Sequence, residues 1–391
     1  MTDSTPDFRP PSQGLDAVAR EASLPTGKRE AADARALEMG LPGAESITDP
    51  NIGTFSRGPL PLYAGIPTML KLPYVEDVRQ AHQHDVSFMG VPFDIGTTFR
   101  PGTRFGPQGM RRASVQYTSF YSFEMGVDLF ESLNMCDLGD VFTIGNIEKS
   151  FDQISRAVGH AYTQGTFPVI MGGDHSIGYP CVRGLAPHIR KPDGSPGKLG
   201  IIHIDRHLDT LEKDMDERMH TCPWFHATNI PNAPSTNLVQ MGIGGWQTSR
   251  EWVKGARDKG TYVLTMDDIE TMGIEKAAEV ALDIAWKDAD AVYLSFDIDS
   301  VEAGHVPGTG WPQPGGFQPR EVLKLLRLIA SRGLAAMECV EVAPCYDIAD
   351  VTSIMAVHAT MEVLGSLVDH GHLPDKRAPI LDADLNAWKG T

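Results

Sequence analysis

The sequence is poor in the features that mark secreted, membrane-spanning or nucleic-acid-binding chains. It has five cysteines, Cys136, Cys181, Cys222, Cys339 and Cys345, an odd number with no Cys-x-x-Cys pair. That argues against a disulfide framework and a thiolate zinc site and points to a reducing compartment. No uninterrupted apolar run approaches the roughly 20 residues that a membrane span needs. The N-terminus shows no basic segment followed by an apolar stretch, so no signal peptide is visible and the expected location is cytoplasmic. Positive charge is scarce too: 34 Lys and Arg stand against 51 Asp and Glu, a net charge of −17. Such a chain repels phosphate backbones and anionic membrane surfaces. Nucleic acid and membrane are therefore set aside as partners, and a cationic or neutral substrate is favoured.

What is present fits a soluble α/β enzyme. At 391 residues, 41% hydrophobic and 22% charged, the chain is long enough for one large α/β domain with a sizeable core. Residues 1–80 read as a partly irregular N-terminal extension, with helix-forming composition at 27–40, and 81–391 as the catalytic domain. From about residue 85 short apolar runs rich in Val and Ile recur, at 86–93, 167–173, 199–205, 237–245, 261–266, 291–299 and 339–344. Helix-like stretches lie between several of them, at 147–165, 274–287 and 319–331. Continuous apolar strands alternating with helices predict a mainly parallel sheet covered on both faces, a three-layer α/β/α fold. Ligands of such sheets sit beyond the carboxyl ends of the strands.

Three of those ends carry the same residue types. They are Gly172-Gly173-Asp174-His175-Ser176, Asp205-Arg206-His207-Leu208-Asp209 and Asp297-Ile298-Asp299. Side-chain alternation along a strand aims Asp205, His207 and Asp209 to one face, and Asp297 with Asp299 likewise. Burying these carboxylates together without a cation would be prohibitive. His175 and His207 are neutral ligands, and the four negative charges of Asp205, Asp209, Asp297 and Asp299 are balanced by two divalent ions. Imidazole and carboxylate donors without sulfur suit Mn, Ni, Co or Fe better than a structural zinc.

The ordered set resembles the three signatures of the ureohydrolase family, which includes arginases and agmatinases. The third signature continues here into Pro307-Gly308-Thr309-Gly310, and Gly90-Val91-Pro92-Phe93-Asp94 and Val340-Glu341-Val342-Ala343-Pro344 add further matches, so that the resemblance spans about 85–365. It implies an arginase-like fold and a dinuclear metal centre that hydrolyses a guanidino group to urea. It also implies that one ion takes His175, Asp205, Asp209 and Asp297 and the other Asp205, His207, Asp297 and Asp299. His220 then falls where the family carries its proton shuttle, although Thr221 replaces the glycine that follows, and Glu341 falls where a glutamate holds the guanidinium.

Several positions depart from the arginase and agmatinase pattern. Arg206 stands where alanine is usual, Glu302-Ala303-Gly304-His305 follows the third signature, and Trp311 stands where a small residue is usual. Met219 to His226 and Gly242-Ile243-Gly244-Gly245-Trp246 are also unusual. These features are similar to the guanidine-hydrolase branch, which implies Ni2+, with Mn2+ as the alternative. They make Trp311 and His305 candidate substrate contacts, Trp311 as a pocket wall, and leave Trp224 and Trp246 open to a core-packing role. The expected substrate is guanidine or a small N-alkylguanidine. Metformin (biguanide) hydrolase subunit, agmatinase and non-catalytic partner subunit are the alternatives. A homo-oligomer, trimer or hexamer, is expected by analogy, or a heteromer with a paralogous subunit.

Overall fold

A computed structural model describes residues 55–56, 58–117 and 121–374. The chain divides into two units, Met1–Pro67 and Thr68–Thr391, and the second carries everything discussed below. The helix-forming segment at 27–40 lies outside the described residues.

Eight parallel strands form one sheet in the order β2-β1-β3-β8-β7-β4-β5-β6. They are β1 Val86–Gly90, β2 Met135–Asp140, β3 Phe167–Met171, β4 Leu199–Ile204, β5 Leu238–Ile243, β6 Tyr262–Thr265, β7 Ala291–Asp297 and β8 Ala336–Val340. The helices are α1 Gly106–Ser114, α2 Leu129–Ser132, α3 Ile147–Thr163, α4 Gly178–Leu185, α5 Pro223–Ala227, α6 Arg250–Lys259, α7 Met266–Met272, α8 Ile274–Ala285, α9 Pro319–Ala330 and α10 Val351–Asp369.

Strand alternation builds two cores. Val169 and Met171 of β3 and Ile202 and Ile204 of β4 join the helices α1, α8, α9 and α10 on one face. Ile170 and Ile201 turn to the other, under α3, α4 and α5. Side chains at successive positions point to opposite faces, so strands apolar at every position need helices on both sides. Helix α10 has the length and hydropathy of a membrane span, but 78% of its apolar window is buried inside the fold, as in a core helix. All five cysteines are free.

Two differences from the sequence expectation have clear causes. Strand β2 was not anticipated, because Met-Cys-Asp-Leu-Gly-Asp has no apolar run. It is an edge strand, and its Asp137 is wholly buried because Arg111 of α1 reaches it. Arg111 Nε donates to Asp137 Oδ2 at 2.8 Å, Nη2 to Asp137 Oδ1 at 2.9 Å and Nη1 to Asp140 Oδ1 at 2.6 Å. Asp137 Oδ2 also accepts the Met69 N–H at 2.8 Å. Strand β8, secondly, begins at Ala336 rather than near 339, because its first residues pair with Tyr293 and Leu294 of β7.

The Arg111 network fastens the sheet edge to α1. Arg111→Met leaves Asp137 buried without its cation and is expected to lower the unfolding free energy by about 3–5 kcal/mol. Denaturant titration of the metal-loaded protein measures this, and a transition unchanged from the parent would show that the network adds no net stability.

Candidate metal centre

The ends of β3, β8, β7 and β4, four neighbours at the middle of the sheet, deliver the site residues. At three of these ends an aspartate turns the chain in the same way. Asp174 Oδ1 accepts the Ser176 N–H at 3.0 Å, Asp205 Oδ1 the His207 N–H at 2.7 Å, and Asp297 Oδ1 the Asp299 N–H at 2.8 Å. An aspartate that bonds its own backbone two residues on makes a tight turn. The convergence is therefore achieved by turns and not by strand alternation as expected. β4 stops at Ile204 before the first ligand, Asp299 lies in the 3-10 turn Ile298–Ser300, and Asp209 has a left-handed φ of 47°.

His175 Nδ1 has Asp205 Oδ2, Asp209 Oδ2 and Asp297 Oδ2 each at 3.0 Å. Its other nitrogen, Nε2, lies 2.8 Å from Ser295 Oγ, whose hydroxyl donates to Glu338 Oε1 at 2.7 Å. Ser295 thus accepts from Nε2–H, which leaves Nδ1 with its lone pair. Nδ1 has no hydrogen-bond partner, although three carboxylate oxygens surround it. A lone pair facing three anions is repulsive unless a cation sits among them. Burial, with Asp299 and Asp205 alongside, pushes Asp297 well above the usual carboxylate range, and burial pushes Asp299 up to about 6. These donors fit a divalent ion.

A second group lies beside the first. His207 Nδ1 is 3.2 Å from Asp205 Oδ1 and 3.4 Å from Asp299 Oδ2, and Asp299 Oδ1 is buried without a partner. Asp205 thus divides its two oxygens between the groups. Asp297 turns Oδ2 to the first group, and its Oδ1 accepts the Asp299 N–H. His203 also lies within ligand distance of the first group. Its role is different: Gln240 Nε2 donates to its Nδ1 at 3.0 Å, so Nε2–H donates to Asp205 Oδ2 at 2.7 Å. His203 orients the shared carboxylate. Trp224, fully buried, packs edge-on against His175 at 5.5 Å and tilted against His203 at 4.9 Å.

Glu341 follows β8 with a left-handed φ of 63°. Its Oε1 accepts the His175 N–H at 2.9 Å and lies 2.9 Å from His220 Nδ1, while Oε2 is buried without a partner. His220 Nε2 meets Thr98 Oγ1 at 2.7 Å and the Thr98 N–H at 3.2 Å. Burial disfavours the His220 imidazolium, but Glu341 more than offsets this and lifts it to about 9. Trp311 is half-buried, with its ring 6.2 Å from His207, 6.4 Å from His220 and 5.1 Å from Phe99. His305 is exposed on the turn after the 3-10 segment, and no hydrogen bond or ion pair joins its side chain to these groups among the described residues. Trp246, left open to a core-packing role, is fully exposed on the loop after β5.

Residues 84–365 match the arginase family. The chain belongs to the arginase family. It is 32% identical over 315 residues to the guanidinobutyrase of Pseudomonas aeruginosa, covering 78% of this chain and 93% of that protein. It is also 32% identical to the human mitochondrial guanidino acid hydrolase, covering 78% of this chain and 83% of that one. Among solved structures, proclavaminate amidinohydrolase from Streptomyces clavuligerus superposes with a TM-score of 0.71 at 31% identity, covering 79% of this chain and 99% of that one. The protein is thus an amidinohydrolase that acts on C–N bonds of guanidino compounds, in a family that works with a dinuclear divalent metal centre.

The sequence named the six candidate ligands that meet here but not the residues behind them. His203, two positions before Asp205, was not singled out, although the spacing alone offered it; Glu338 and Thr98 gave no signal of their own. Asp297→Ala removes an oxygen from the first group and a turn from the second. It is expected to lose at least one ion and nearly all turnover, read by metal analysis and urea release; two ions per chain with near-normal activity would overturn the assignment.

Proposed function

We propose that this protein hydrolyses free guanidine, or a guanidine with a small alkyl group, to urea and ammonia or the amine. Water adds its oxygen to the guanidinium carbon, one C–N bond breaks, and the departing nitrogen leaves with a proton. The bound ions, Ni2+ by preference or Mn2+, supply the Lewis acidity that lowers the pKa of water. Everything else falls to the side chains.

Glu341 Oε2, buried and unpartnered, accepts N–H groups of a planar cation. Its Oε1 is fixed by the His175 N–H and by His220, so the carboxylate cannot turn away. A charge-assisted hydrogen bond of this kind both holds the guanidinium and orients its carbon. His220, held between Glu341 and Thr98, titrates in a range suited to passing a proton to the leaving nitrogen.

The observation that carries the small-substrate reading is Trp311, whose ring packs near both His207 and His220 with Phe99 behind it. A substrate tail leaving the metal centre on this side meets the indole. The same face can attract a guanidinium by about 0.5–2 kcal/mol. A reading with a longer substrate draws support from the relatives, whose names denote enzymes of guanidinobutyrate and guanidino acids. Urea release by the metal-loaded protein from guanidine, methylguanidine, agmatine, 4-guanidinobutyrate, arginine and metformin separates the two readings. Preference for a long-tailed compound would sink the first.

Glu341→Gln keeps the shape but loses the charge. At about 1.5–3 kcal/mol for the lost interaction, kcat/KM is expected to fall about ten- to a hundredfold with both ions retained. Loss of metal instead would make Glu341 a structural residue. Trp311→Thr opens the wall, and activity on agmatine relative to guanidine is expected to rise. A substrate profile and guanidine KM equal to the parent's would show that Trp311 bounds no pocket.

A further inference from the structure

Two peculiarities of the sequence, Arg206 between two ligands and the glycine run after β5, meet in the structure. Arg206 is 3% exposed. Its Nη1 donates to Gly242 O at 2.9 Å and its Nη2 to Pro314 O at 3.2 Å, while Nε is buried without a partner. Gly242 lies near the end of β5 and Pro314 in the loop before α9, and the loops next to these carbonyls bring Gln247 and Gln313 beside His207. Gln247 Oε1 lies 2.9 Å from His207 Nε2, and Gln313 Nε2, a donor, donates to that same Gln247 Oε1. The glycines provide the space. A Cβ on Gly244 would stand 2.7 Å from Arg206 Nη1, and one on Gly245, where φ is 78°, would stand 1.8 Å from Gln313 Oε1.

The two imidazoles of the centre therefore have unlike supports. His175 is backed through Ser295 by the buried carboxylate of Glu338. His207 has one neutral amide acceptor, the exposed Gln247, braced in turn by Gln313. A ligating imidazole must carry its proton on the outer nitrogen and keep its ring orientation, and the outer partner secures both. With Nδ1 toward Asp205 and Asp299, Nε2–H donates to Gln247 Oε1. An amide on a loop does this only while the loop is fixed.

We propose that Arg206 is a positioning residue for the second metal subsite. By tying the loop at Pro314 O to the end of β5 at Gly242 O it keeps Gln313 bonded to Gln247, and Gln247 against His207, and so keeps the second ion bound. The glycine run exists because the guanidinium and the Gln313 amide occupy the space that side chains there would need. The inference depends on the two-metal reading.

The test is metal content and chelator-driven metal release from the purified, loaded full chain. The variants are Arg206→Met, Arg206→Lys, Gln247→Ala/Gln313→Ala and the combination of Arg206→Met with the glutamine pair. In Arg206→Met one ion is expected to leave about ten- to a hundredfold faster than in the parent and the other at the parent rate. Arg206→Lys is expected to behave like Arg206→Met, since an ammonium lacks the fork that spans two carbonyls. The glutamine pair is expected to match both, and adding Arg206→Met to it to change little further, as groups on one path are not additive. Parent-like release in the glutamine pair, rescue by Arg206→Lys, or full additivity in the combination would each overturn the proposal. Faster release of both ions together with a lower melting temperature of the metal-free chain would also overturn it, since that marks a general structural role. If Arg206→Met does not fold, the glutamine pair and Arg206→Lys decide. A parent with fewer than two ions refutes the two-metal reading itself, a separate outcome.

Discussion

Four carboxylates buried around two imidazoles form the constraint on which the rest of the structure depends. Each carboxylate raises the cost of ionising the next, and burial removes the water that would offset it. Divalent cations relieve that cost, but only if the oxygens face one another closely. The fold meets this demand by placing every ligand at the carboxyl end of β3, β7 or β4, with Glu341 at the end of β8 among them. A rigid sheet with both faces packed keeps the strand ends fixed, and so holds close together like charges that would otherwise move away from one another.

The fold was legible because its signal is dense. Short apolar runs rich in Val and Ile marked seven strands, and the six candidate ligands lie at the ends of three of them. Edge strand β2 was illegible because Asp137 is buried only by virtue of Arg111, a contact across the fold that no local pattern contains. The local geometry of the ligands was misread for a related reason. Alternation is a property of extended chain, whereas Asp174, Asp205 and Asp297 use their own carboxylates to end it. The spacing Asp-x-Ser, Asp-x-His and Asp-x-Asp carries that signal, since a residue two ahead of an aspartate is the one whose N–H its side chain reaches.

What surrounds the ligands could not be read from spacing. Glu338 lies behind Ser295 from the neighbouring strand, and Gln247 and Gln313 come from loops separated by dozens of residues. Their roles exist only in the folded register. Trp224 and Trp246 were alike in the sequence, both open to a core-packing role, yet Trp224 is fully buried and Trp246 fully exposed. Trp311, equally large, stays because Phe99 and the two histidines receive its ring.

Glu341 links these levels. One oxygen joins a backbone N–H of the first metal subsite to the imidazole of His220, and the other stays open. Such a posture requires the left-handed φ of 63°, a conformation that costs a non-glycine residue about 1–3 kcal/mol. A glycine there would relieve the cost and lose the carboxylate. The Glu341 N–H donates to Gly173 O at 2.9 Å, so the strained residue is tied directly to the loop that carries His175. At this turn a single carboxylate accepts the His175 N–H, meets His220 Nδ1 and leaves its second oxygen buried and unpaired.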